Sequence, residues 1–167
     1  MRRMWAAGAA IVVCLVIGGM PAAAQEASPE PTGPAHVTGT ETIHSNVVVD
    51  LKAQAGDVMQ WRGVHATSDE AASDPRVSGA GTIDGNIDIY GMNGVQWGTF
   101  RIENDGGAWE GTFRGAIYGG YLDNGTAWLV GSGDYEGLTY YYAFGGNNTD
   151  SVLEVEGFIF PGEAPTP

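Results

Sequence analysis

Gly98-Thr99-Phe100-Arg101-Ile102-Glu103-Asn104-Asp105-Gly106-Gly107-Ala108-Trp109-Glu110-Gly111-Thr112-Phe113-Arg114 is the stretch that decides the fold. The tetrad Gly-Thr-Phe-Arg stands at 98–101 and again at 111–114, on either side of Asn104-Asp105-Gly106-Gly107. Asp-Gly favours a two-residue hairpin turn, because the backbone there must reach positive φ. With Asp105-Gly106 at the turn, Asn104 pairs with Gly107, Ile102 with Trp109, Phe100 with Gly111 and Gly98 with Phe113. One face of the ribbon then carries Phe100, Ile102, Trp109, Phe113 and Ile117. The other sets Arg101 beside Glu110, Thr99 beside Thr112 and Trp97 opposite Arg114. A one-residue slip would mix the two faces, so this register supports itself. The glycines opposite aromatic residues leave room for rings on a strongly curved sheet.

The same texture extends outward over about residues 36–161. Short runs of Val, Ile, Tyr, Phe, Trp and Thr alternate with Gly, Asn and Asp, a strand-and-turn pattern, and no stretch has the period of an amphipathic helix. Strands are expected at 37–43, 58–67, 81–90, 95–104, 108–118, 126–131, 138–144 and 152–160. Eight strands at this spacing predict an all-β fold, an eight-stranded antiparallel β-barrel. The polar stretch 68–75 is the main internal break. The interior of such a barrel either fills with side chains or holds one small ligand.

The ends of the chain read differently. Arg2 and Arg3 precede the apolar run Ile11-Val12-Val13-Cys14-Leu15-Val16-Ile17, and Ala22-Ala23-Ala24 follows the helix breakers Gly18, Gly19 and Pro21. This is the pattern of a secretory signal peptide over 1–24, cleaved after Ala24; the apolar run is too short for a membrane span. Residues 25–35, rich in Pro and Glu, form a linker with no apolar face, and 162–167 form a tail. Cleavage removes Cys14, the single cysteine. The secreted barrel must therefore be held by its own core.

The whole chain has 167 residues and a formal net charge of -13. Removing residues 1–24 takes away two arginines and no acid, leaving 143 residues with a charge of −15. Nucleic acid and anionic membranes are excluded as partners, because both need a basic face. The expected partner is instead a small apolar molecule.

No stretch carries a strong catalytic motif. Asp84-Gly85-Asn86-Ile87-Asp88 opens like a calcium loop, but Ile89 and Val95 stand where an EF-hand needs Gly and Glu. Its acids read as the wet face of a strand whose other face is Ile83, Ile87 and Ile89. His36, His44 and His65 lack metal-ligand spacing, so no metal and no cofactor is expected. His65 shares the strand parity of Trp61 and Met59. The acids read as a solvated face. Asn124-Gly125-Thr126 and Asn147-Asn148-Thr149 read as turns between strands. The candidates for a ligand cavity are the strand aromatics Trp61, Trp97, Trp109, Trp128, Tyr140 and Tyr142.

Gly131-Ser132-Gly133-Asp134-Tyr135-Glu136-Gly137-Leu138 resembles the Gly-Ser-Gly-x-aromatic-Glu-Gly-aliphatic segment of plant allene oxide cyclases. More loosely, it resembles the Gly-Thr-Gly-x-Phe stretch of dirigent proteins. Trp97-Gly98-Thr99 with Trp109-Glu110-Gly111-Thr112 is similar to segments of small secreted bacterial proteins of undefined function. The resemblance implies an eight-stranded antiparallel barrel around an apolar cavity, calycin-like in outline. It implies a structural motif in which Gly131, Gly133 and Gly137 shape a corner and Tyr135 plugs the barrel end. Three readings of function stand: a secreted barrel that binds a small apolar ligand, a cofactor-free isomerase or cyclase on the same barrel, and a structural exported module with a filled barrel. An open apolar cavity supports the first two, a buried carboxylate beside it favours the second, and a packed interior supports the third.

Overall fold

The computed structural model describes residues 34–120, 122–147 and 150–163. The expected signal peptide at 1–24, positions 25–33 of the linker and positions 164–167 of the tail lie outside them. Within them the chain is all-β: β1 (Ala35–Ile43), β2 (Val48–Ala55), β3 (Val58–Ala72), β4 (Gly79–Tyr90), β5 (Asn93–Asn104), β6 (Gly107–Tyr118), β7 (Leu122–Gly133), β8 (Leu138–Asn147) and β9 (Val152–Pro161), with a 3₁₀ turn at Pro75–Val77 between β3 and β4. Among the described residues no helix is long and apolar enough to cross a membrane.

The strands form one antiparallel sheet in the order β1-β9-β8-β7-β6-β5-β4-β3-β2, and β1 also pairs with β3, so the sheet closes in a ring. The pairing of β5 with β6 is the expected one: Asn104 opposite Gly107, Ile102 opposite Trp109, Arg101 opposite Glu110 and Gly98 opposite Phe113. Arg101 Nη1 donates to Glu110 Oε2 at 3.0 Å on the outer face. Inside, a Cβ at Gly98 would sit 2.8 Å from the Phe113 ring, so the ring occupies the space that this glycine leaves.

The structure corrects the sequence reading in three places. β2 is an additional, ninth strand. β1 and β2 lie end to end along the 15-residue β3, with Gly39 opposite Ala72 through Ile43 opposite Ser68, then Val48 opposite His65 through Ala55 opposite Val58. They act as one interrupted staff, so there are eight positions around the ring. β2 escaped notice because no core side demands it: Val48 and Leu51 are exposed. Next, residues 68–72 do not belong to a loop but continue β3, with Ser68 and Glu70 buried. Their polarity hides a strand whose inward side chains are polar. Finally, Asn124-Gly125-Thr126 lies inside β7 rather than between strands, where Gly125 makes room for the Phe144 ring.

The two ends of the ring differ. At the end holding the β5–β6 and β7–β8 turns, the core cluster of Val37, Val77, Ile102, Trp109, Leu129, Tyr135, Tyr140 and Ile159 fills the interior. Trp109 is 0% exposed; it stacks on Tyr135 with ring centroids 5.2 Å apart, and its Nε1 donates to Arg76 O at 2.7 Å. Asn104 ties the turns together, donating to Ser78 O at 2.8 Å and accepting from Tyr135 Oη at 2.6 Å. Gly133 holds φ +69°, a left-handed conformation that side chains rarely adopt. Ala35, one residue before the expected start of the fold, already pairs with Ile159, and Gly162 O accepts from Thr139 Oγ1 at 2.6 Å.

Candidate functional site

A cavity of about 360 Å³ occupies the other half of the ring interior. Its walls come from alternate residues on most of the strands. Ile83 and Ile87 on β4, Phe100 on β5, Phe113 and Ile117 on β6, and Leu153 on β9 supply apolar surface. His44, Ser45 and Val47, in the segment between β1 and β2, line its mouth together with Ser151. The acidic run 84–88 falls as expected, with Ile83, Ile87 and Ile89 on one face of β4 and Asp84, Asn86 and Asp88 on the other.

The six aromatic candidates separate by position. Trp61 and Tyr142 line the cavity. Trp109 and Tyr140 are buried in the core at the filled end. Trp97 and Trp128 face outward: Arg62 lies over the Trp97 ring at 5.2 Å, and Trp128 packs on Tyr141 with centroids 4.4 Å apart. Of the motif residues, Gly131 leaves room that a Cβ would take from Tyr135, whose carbonyl and Cβ it would strike. Tyr135 is buried, and Gly137 has φ +82°.

Trp61 reaches the interior because β3 is not a regular strand. Simple alternation from buried Val64, Ala66, Ser68 and Glu70 would turn residue 61 outward. The pairing shifts by one between Arg62 and Val64, and the extra residue, Gly63, sits at φ +59°. This β-bulge reverses the faces before it. Trp61 therefore points in, and Arg62 points out to Asp88 at 2.7 Å. The bulge also separates His65 from the parity of Trp61. His65 lies on the outer face, with Nδ1 donating to Asp84 and Nε2 3.2 Å from Asp50. A neutral imidazole donates from one nitrogen only, so these two carboxylates hold its pKa above the ordinary value, the Asp84 bond foremost.

The polar residues of the interior are the feature that sequence reasoning missed. Glu41 on β1 and Glu70 on β3 are direct cross-strand partners, and they are only 5% and 8% exposed. Glu41 lines the cavity. Ser68 donates to Glu70 Oε1 at 2.8 Å. Burial, reinforced by the charge of Asp123, pushes the Glu41 carboxyl up to about 7. Burial, reinforced by Glu41, pushes Glu70 up to about 9. Asp123, also on the cavity wall, is raised by burial against the opposing effect of Gln96, whose Nε2 donates to it at 2.6 Å. Burial thus holds both carboxyls toward their protonated forms near neutral pH. A carboxyl held toward its neutral form stands at Glu41 in a wall that is otherwise mostly apolar. The signal was present in the sequence: the parity of Val64 and Ala66 runs on through Ser68 to Glu70, and that of Val37 and Gly39 on to Glu41.

Trp61 adds a second polar point, since its buried Nε1 has no hydrogen-bond partner among the described residues. No protein-family model matches the chain, and no curated protein sequence matches it.

Proposed function

We propose that the protein is an exported, acidic β-barrel protein that binds one small, largely apolar molecule inside the ring. The observation that carries this is the apolar cavity of about 360 Å³, a size typical of small-molecule sites. Two features support it. Eight strand positions around the ring give an interior of single-ligand size. The buried indole N–H of Trp61, without a partner among the described residues, adds a polar point to the apolar wall. The basic, apolar and small-residue pattern of 1–24 supports export. The likeness of 131–138 to allene oxide cyclases and dirigent proteins supports a barrel of that calycin-like kind.

The test uses N-phenyl-1-naphthylamine, a neutral probe that brightens in apolar surroundings. Its emission should rise and saturate at one probe per chain. Ala66→Phe, which fills the cavity from a buried wall position, should abolish the rise while the far-ultraviolet circular dichroism stays that of a β protein. An undiminished rise in Ala66→Phe, or none in the parent protein, overturns the reading. Mass spectrometry of solvent extracts of the purified protein would then identify the natural occupant.

A second reading, a cofactor-free isomerase or cyclase, is favoured by one observation: a carboxyl able to hold its proton near neutral pH borders the cavity at Glu41. Such a group can protonate a confined intermediate. On that reading Glu41→Gln would lose turnover and keep binding.

A further inference from the structure

Resting on the reading of the cavity as a ligand site, we propose that its occupant is a lipophilic amine, an apolar body whose single ammonium group is seated at Glu41. The argument begins with an imbalance of charge. Glu41 and Asp123 stand in the wall, and Glu70 lies directly across from Glu41. Among the described residues no lysine or arginine lines the cavity; Lys52, opposite Trp61 on β2, is exposed and holds its ammonium over the Trp61 ring at 4.5 Å. The nearest base on β3, Arg62, is carried to the outer face by the bulge and pairs there with Asp88. His44, at the mouth, is already held by Thr67 and Asp69, each at 2.9 Å.

Carboxyls enclosed together without a base cannot all ionise. An anionic occupant would add to the repulsion. A neutral one would leave the acids as they are. A cation supplies the missing opposite charge. The walls suit one: Phe100, Phe113, Tyr142 and Phe144 line the cavity, and aromatic faces attract a desolvated ammonium. The net charge of -13 raises the concentration of cations near the protein.

Binding must then be coupled to loss of a proton. The groups facing Glu41 are Ser68 and Glu70 from β3, Asp123 from β7, and Tyr140 and Tyr142 from β8, whose phenols are held un-ionised by burial. Asp69, on the outer face of β3, adds its charge to Glu70. Of the two carboxyls that border the cavity, Asp123 is already held by Gln96, whereas Glu41 has its carboxyl raised by burial, so the arriving ammonium ionises Glu41 and its proton leaves to solvent.

Isothermal titration calorimetry with three ligands of one skeleton tests this: 4-phenylbutylamine, 4-phenylbutan-1-ol and 4-phenylbutyrate. The amine should bind at least ten-fold tighter than the alcohol at pH 8, and the carboxylate weakest. Amine affinity should rise about ten-fold from pH 6 to pH 8, while alcohol affinity stays within two-fold. Buffers of different ionisation enthalpy should reveal close to one proton released per amine at pH 6 and almost none at pH 8.5. Glu41→Gln should bring amine and alcohol within three-fold of each other. Equal or tighter binding of the alcohol, or amine binding without proton release in the parent protein, overturns the proposal while leaving the cavity a ligand site. If none of the three binds, the proposal falls, and N-phenyl-1-naphthylamine then decides separately whether the cavity is a ligand site.

Discussion

The two ends of the ring are built from the same sheet and reach opposite outcomes. At one, Trp109, Tyr135 and Ile102 fill the interior, and Asn104 and the carbonyl of Arg76 take up the polar atoms that come with them. At the other, the inward positions carry Glu41, Asp123 and Gln96 among Ile and Phe, and a cavity remains. The turns of the open end also expose Tyr90, Met92 and Tyr118. The difference lies less in how apolar the sequence is than in what its buried polar groups are: neutral amide, indole and phenol groups at the filled end, and carboxyls held by the neutral donors Ser68 and Gln96 at the other. The packed aromatic core fills one end, and the other encloses carboxyls with no lysine or arginine beside them among the described cavity-lining residues.

That contrast can be broken first at its strong side. Trp109→Ala removes a fully buried ring and one of the hydrogen bonds that Arg76 O accepts, so a loss of about 3–5 kcal/mol is expected in urea unfolding. Phe113→Ala, at the cavity wall, should cost less, because its ring already borders empty space. Equal losses would dissolve the distinction between the ends.

The open end should show itself in the pH dependence. Glu41 and Glu70 have folded pKa values raised above the ordinary 4.5. The folded state therefore binds more protons than the unfolded chain between that value and about 9. Their stabilising contribution is fully present below about 4.5 and is lost as pH rises through about 7 and then about 9. The melting temperature should be several degrees higher at pH 5 than at pH 8.5, a change of about a few kcal/mol. Replacing both residues with Gln should flatten the profile. A profile that rises with pH, or one the double variant leaves unchanged, would show that these acids are not enclosed as described.

The bulge sharpens the comparison further, since it alone brings Trp61 inside. Gly63→Ala introduces a Cβ at φ +59° and against Asp50, and should cost about 1–3 kcal/mol. It should also weaken N-phenyl-1-naphthylamine binding more than a variant of equal stability loss at the filled end does. The smallest effect belongs to the outer face. Glu110→Ala breaks the exposed pair with Arg101 and should change stability by about 0–1 kcal/mol.

The hairpin of β5 and β6 was fully legible because turn chemistry, charge pairing and apolar alternation all select one register. The open end was less so. β2 has no core side to impose a pattern, and the polar inward faces of β1 and β3 look like surface to any reading that sends acids outward. Trp61 defeated alternation through one glycine: an extra residue in a strand leaves composition untouched and inverts every face before it. Ser68-Asp69-Glu70 shows the same limit from the other side, since its parity was visible but its polarity argued for a loop.

The closure of the ring has a consequence for the order of events during synthesis. The hairpins from β4 to β9 join strands adjacent in the chain, so each can form as its second strand appears. β1 is made before all the other described strands and pairs along most of its length with β9, Ala35 meeting Ile159. Until β9 emerges, β1 can only borrow part of its hydrogen bonding from β3. Pairing across such a sequence separation is slow, because the intervening chain must first be ordered. A nascent chain missing β9 would leave one open edge on β1 and one on β8, the state in which sheets join to their neighbours.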